Sequence, residues 1–61
     1  MKRRNLVKHL IKHGCVLLRE GGKYSVFQNP VNQKETPVTR HLELADFAAR
    51  KICKALDIPP L

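Results

Sequence analysis

Gly14-Cys15-Val16-Leu17-Leu18-Arg19-Glu20-Gly21-Gly22-Lys23-Tyr24-Ser25-Val26-Phe27-Gln28 is the stretch that decides the fold. A glycine opens a short apolar run, residues 15–20, of strand length. Gly21-Gly22 is a hairpin turn signal. Residues 23–28 follow, rich in the aromatic and β-branched types that suit a pleated, half-buried surface. The segment therefore reads as two antiparallel strands joined by a glycine turn. Alternation along the second strand puts Tyr24 with Val26 and Ser25 with Phe27. Which pair faces the interior is not decided by the sequence.

Working outward, residues 3–13 read as a helix. Leu6, Val7, Leu10 and Ile11 recur at helical spacing, with Asn5, Lys8, His9 and Lys12 on the opposite side. Gly14 supplies a left-handed stop. Beyond the hairpin, Asn29-Pro30 to Lys34 is a polar turn in which only Val31 is a candidate for the core. Residues 35–39 make a third strand, and Pro37, having no N–H to give a ladder, confines it to an edge. The last helix covers 43–57. Leu44, Ala45, Ala48, Ala49, Ile52, Ala55 and Leu56 share one sector, Asp46, Arg50, Lys54 and Asp57 cluster opposite, and Phe47 and Cys53 stand at the borders. Asp46 and Arg50 are spaced as a favourable i,i+4 pair. Pro59-Pro60 prevents continuation.

The expected fold is α+β, a small α-β-β-β-α sandwich forming a single domain over residues 1–61. Both helices carry an apolar stripe and need the same sheet face to bury it. This predicts a three-stranded antiparallel sheet with two helices on one face, the other face or the strand ends remaining open to a partner.

With 61 residues, the chain is at most one small domain, which buries only about 60% of its unfolded surface. Such a size excludes a two-domain enzyme, a dinucleotide-binding fold and a deep substrate cavity. Any chemistry must work on an open surface. Hydrophobic residues at 43% are too many for a disordered tail. Twelve Lys and Arg face five Asp and Glu, for a net charge of +7, which suits a polyanionic partner. The charge is lopsided. Residues 1–24 carry seven cations (Lys2, Arg3, Arg4, Lys8, Lys12, Arg19, Lys23) against Glu20 alone, whereas residues 25–61 carry five cations against four anions.

Cys15 and Cys53 lack a CxxC or CxxH neighbour and read as small buried hydrophobes rather than as a disulfide framework or zinc ligands. The basic start, MKRRNLVKHL, is interrupted every turn by Lys or His and lacks the apolar core of a leader peptide. No stretch approaches the roughly 20 apolar residues of a membrane span. A cytoplasmic chain with no membrane partner is expected.

Taken in order, several short motifs are similar to one family. Lys2-Arg3-Arg4-Asn5-Leu6, Lys8-His9-Leu10 and His13-Gly14-Cys15 resemble the start of HicA-type toxins, also called the YcfA family. Leu18-Arg19-Glu20-Gly21-Gly22-Lys23, Asn29-Pro30, Thr36-Pro37-Val38, Arg40-His41 and Ile52…Leu56-Asp57-Ile58-Pro59 continue the match over essentially the whole chain. The resemblance implies a double-stranded-RNA-binding-domain-like fold. It implies mRNA cleavage, usually linked to translation, by a toxin of a type II toxin–antitoxin system that uses no metal and no small-molecule cofactor. It also implies a HicB-type antitoxin, encoded alongside, that covers the active face. One position departs from the pattern: the family keeps a catalytic histidine just after the glycine turn, in stretches such as Gly-Gly-Lys-His-Ser, and here Tyr24 stands in its place.

That exchange matters chemically. Cutting RNA without a metal needs a base near the ribose 2′-OH and an acid near the leaving oxygen. An imidazole, with a reference pKa of about 6.5, populates both forms at neutral pH, whereas a phenol, at about 10, is almost wholly protonated. Positioned acid–base catalysis contributes roughly 10²–10⁴-fold, so histidine-to-tyrosine removes most of it. Tyr24 then donates a hydrogen bond, stacks on a base, or simply fills strand space.

His41, beside Arg40, matches a recurrent Arg-His of the family and is either a second catalytic candidate or the anchor of a loop. His9 and His13 read as solvated; their i,i+4 spacing would allow a metal pair, but no third ligand is visible. For RNA phosphates the candidates are Arg19 and Lys23, flanking the turn, and Lys8, Lys12, Arg3 and Arg4 on the first helix. Three functions follow: a HicA-like endoribonuclease with activity reduced or lost, a non-catalytic RNA-binding module, and an antitoxin-binding domain whose charge serves only an acidic partner.

Overall fold

The computed structural model describes all 61 residues. Helix α1 (Arg3–Lys12) ends where Gly14 takes a φ of 84°, a left-handed conformation that an L side chain resists. Strand β1 (Val16–Glu20) follows, and then a tight turn in which the Gly21 N–H donates to the Tyr24 carbonyl at 2.7 Å. A Cβ on Gly21 would sit 3.1 Å from that same oxygen, which is why glycine suits the turn. Strand β2 (Tyr24–Asn29), strand β3 (Lys34–Thr39) and helix α2 (Asp46–Ala55) complete the α-β-β-β-α order.

The strands form one antiparallel sheet in the order β1-β2-β3. Tyr24 pairs with Thr39, Val26 with Pro37, and Leu17 with Phe27; a bulge at Leu18 shifts the β1 register before Arg19. Pro37 lies on an edge strand, where its missing N–H costs no ladder bond. The face of β2 that carries Ser25, Phe27 and Asn29 is buried, with Val38 beside Ser25. Against this face pack Leu6 and Leu10 of α1 and Ala49, Ile52 and Cys53 of α2, together with Cys15, Leu56 and Ile58. Leu6, Leu10 and Leu56 have no exposed surface, and each such side chain contributes about 1.5–3 kcal/mol on burial. Both helices thus cover one sheet face, as their stripes require.

Several details differ from the sequence reading. Val31 and Ile11 are 90% and 60% exposed. Ile11 is the outermost member of the α1 stripe, one residue round from Leu10, beyond the seam that Leu6 and Leu10 form. Helix α2 begins at Asp46 rather than 43, because Ala45 is an extended N-cap with ψ 149° and so leaves the helical stripe. Ala55 is also exposed, and Cys53 takes the inner place. Asp46 does not pair with Arg50: its Oδ1 lies 3.5 Å from the Met1 ammonium, which also donates to the Leu44 carbonyl at 2.7 Å. The chain start is thereby stitched to residues 42–44, with the Arg3 N–H donating to the Leu42 carbonyl at 2.8 Å and the Leu44 N–H to the Met1 carbonyl at 3.0 Å. No helix is long and apolar enough to cross a membrane.

Candidate nucleic-acid interface

Since Ser25 and Phe27 face the helices, alternation turns Tyr24 and Val26 to the open side. Tyr24 is 51% exposed. Its pairing with Thr39 brings the start of β2 beside the end of β3, and the two strand ends with the residues next to them form an open depression of about 550 Å³ lined by Lys23, Tyr24, Thr39, Arg40 and His41. Tyr24 and His41, 17 positions apart in the sequence, thus share one concavity with two cationic side chains.

Beneath this depression runs a chain of polar contacts. Arg3 Nε donates to the Thr39 carbonyl at 2.7 Å, and Arg3 Nη2 donates to Ser25 Oγ at 3.1 Å. The Ser25 hydroxyl in turn donates to Glu20 Oε1 at 3.1 Å, and the other Glu20 oxygen accepts from Arg40 Nη2. Ser25 is fully enclosed, and a buried hydroxyl with both a donor and an acceptor avoids the cost of an unmade bond. The His41 N–H donates to Thr39 Oγ1 at 3.2 Å. One network, assembled from α1, β1, β2 and the segment after β3, therefore holds the rim that carries Arg40 and His41.

The phosphate candidates separate into two kinds. Arg3 is half-buried and its guanidinium is engaged inward by two hydrogen bonds. Arg4, Lys8 and Lys12 are exposed, spaced four apart along α1, and Lys23 is exposed at the depression. Arg19 projects on the open face beside Val26 and lies 3.6 Å from Glu35, both side chains being well solvated; an exposed pair of this kind contributes little to stability and leaves the cation accessible. His9 is not simply solvated: it is half-buried, its Nε2 donates to the Pro59 carbonyl at 2.6 Å, and its ring meets that of His13 edge-on at 4.5 Å. It ties α1 to the chain's last residues, a contact across 50 positions that local reading misses.

Thr39 and Arg40 are the lining residues that sequence reasoning did not single out as part of the site. A signal existed for Arg40, in its adjacency to His41; Thr39 enters only through the β2–β3 register. Away from this site, Cys15 and Cys53 are both buried free thiols. Burial pushes each thiol above its ordinary value of 9.0, Cys53 adding to the rise at Cys15. Both stay protonated and unreactive at neutral pH. Comparison of the chain with family models, curated proteins and solved structures finds no match.

Proposed function

We propose that this chain is a HicA-like toxin of a type II toxin–antitoxin pair that acts on messenger RNA in the cytoplasm and is held by a HicB-type antitoxin. The observation that supports the reading is the meeting of Tyr24, at the position of the family's histidine, with His41, Lys23 and Arg40 around one exposed depression. An open, basic concavity suits a backbone phosphate, with Lys23 as a point charge and Arg40 as a planar donor. An exposed aromatic at its wall gives a base a surface to stack on. His41 is the one imidazole at the depression, and acts there as the acid–base group. The phenol of Tyr24, a poor base, donates a hydrogen bond to a phosphate or ribose oxygen and holds cleavage low.

The test compares cleavage of a transcript by this chain and by its Tyr24→His variant. The variant is expected to cut at least about 10²-fold faster, the lower range of positioned acid–base catalysis. Equal rates would remove Tyr24 from the catalytic position. A second reading, RNA binding without cleavage, is favoured by the absence of any imidazole on β2. Salt-sensitive binding by both proteins with cleavage by neither selects it. No RNA affinity in either protein overturns both readings.

A further inference from the structure

The two edges of the sheet are not alike. Strand β3 is guarded by Pro37 and by the charged pair Lys34 and Glu35, and α2 packs over it. Strand β1 carries no proline, and Val16, Leu17 and Leu18 are 47%, 49% and 40% exposed. Leu17 belongs to the helix-facing side, opposite Phe27, yet remains half open because the helical layer stops short of this edge. Arg19, Glu20 and the bulge at Leu18 guard the far end of β1, and its apolar start, Val16 to Leu18, is left half open to solvent. Natural sheets avoid an apolar open edge because its free N–H and C=O groups invite another strand.

We propose that β1 is a docking edge for an extended, acidic segment of a partner protein, which joins the sheet as a fourth strand. Main-chain hydrogen bonds along β1 give such a contact its affinity, and successive side chains of the incoming strand, on opposite faces, cover Val16 and Leu17. Charge selects the occupant. Lys12, exposed and free of any carboxylate, precedes the edge, within residues 1–24, which carry seven cations against one anion. A second copy is disfavoured on two grounds. It brings two chains of +7 together, and a five-residue edge falls well short of the roughly 800 Å² per partner that a stable interface requires. A larger partner supplies the remaining area beyond the strand. This surface is separate from the depression at Tyr24 and stands whether or not RNA is cleaved there.

The full chain, isotopically labelled, is titrated with a short synthetic peptide alternating valine and glutamate, and with a counterpart alternating valine and lysine. The glutamate peptide is expected to bind saturably and at least about tenfold tighter than the lysine one, shifting the amide signals of residues 16–20 and slowing their exchange. N-methylation of its backbone is expected to abolish the effect. Val16→Glu is expected to weaken binding by about tenfold while the signals of Phe27 and Val38 stay in place, which reports an intact fold. Several results would overturn the proposal: no saturable binding, equal binding of both peptides, or shifts centred on Lys23, Tyr24 and His41. Self-association through β1 in sedimentation, or the same β1 shifts produced by a short RNA, would also overturn it.

Discussion

Tyr24 stands opposite Thr39 across the β2–β3 ladder, and Thr39 is held from both sides. Arg3 donates to its carbonyl at 2.7 Å, and its hydroxyl accepts the His41 N–H at 3.2 Å. The backbones of Tyr24 and His41 therefore both rest on one residue, and that residue rests on the first turn of α1. Changes at Arg3 reach the site without touching its surface.

Arg3→Ala removes two hydrogen bonds at a half-buried position. A loss of about 1–3 kcal/mol in unfolding free energy is expected, together with faster amide exchange at His41. Arg3→Lys recovers only part of it, because a single ammonium does not reproduce the guanidinium's forked geometry at Thr39 and Ser25. Wild-type stability in Arg3→Ala, read from a urea midpoint, would show the network to be dispensable.

Lys23→Ala is expected to weaken RNA binding and to lower the slope of log K against log salt by about 0.7–0.9, the release of one counterion. In Arg3→Ala the slope is expected to stay as it is, since that guanidinium already faces inward. A filter-binding titration in which the two variants change alike would contradict this division of the cations.

Asn29→Ala is expected to cost about 1–3 kcal/mol. The buried Asn29 Nδ2 donates to the Leu56 carbonyl at 2.9 Å and its Oδ1 accepts the Val31 N–H at 3.1 Å, so one side chain joins β2 to the end of α2 and closes the β2–β3 turn. Asn32→Ala, which removes an exposed residue's 3.2 Å bond to the same carbonyl and its 2.9 Å bond from the Lys34 N–H, is expected to cost less because both groups regain water. The order of the two chemical-denaturation midpoints checks the assignment.

The buried thiols make stability fall in alkali. Burial raises both above 9.0, so between the ordinary value and the raised ones the folded chain holds protons that the unfolded chain has lost. Their contribution is complete below pH 9 and declines as pH climbs through the raised values. Replacing both with alanine is expected to flatten this part of the profile in urea melts on either side of pH 9.0. Thiol reagents are expected to label Cys15 and Cys53 only as the chain unfolds.

Element order was legible in the sequence because each boundary is a local matter. Gly14 needs a left-handed φ, Gly21 sits where a Cβ would crowd a carbonyl, and Pro37 can occupy only an edge. The seam of α1 was legible too, since Leu6 and Leu10 follow the helical repeat. The exposure of Val16–Leu18 was not legible, because hydrophobicity alone does not tell a covered strand from an edge the helices fail to reach.

The amino-acid order by itself determined the α-β-β-β-α succession, the single antiparallel sheet and the need of both helices for one face. Tertiary structure alone decided that Tyr24 looks outward. Its strand offers Tyr and Val on one side and Ser, Phe and Asn on the other, so hydrophobicity does not choose between them. The polar side is buried because groups of other elements satisfy it: Arg3 of α1 and Glu20 of β1 at Ser25, and the Leu56 carbonyl at Asn29. The same holds for the meeting of Tyr24 with His41, which depends on strand register and on a hydrogen bond from Arg3 across 36 positions. Pairings at that separation exist only once the chain has folded.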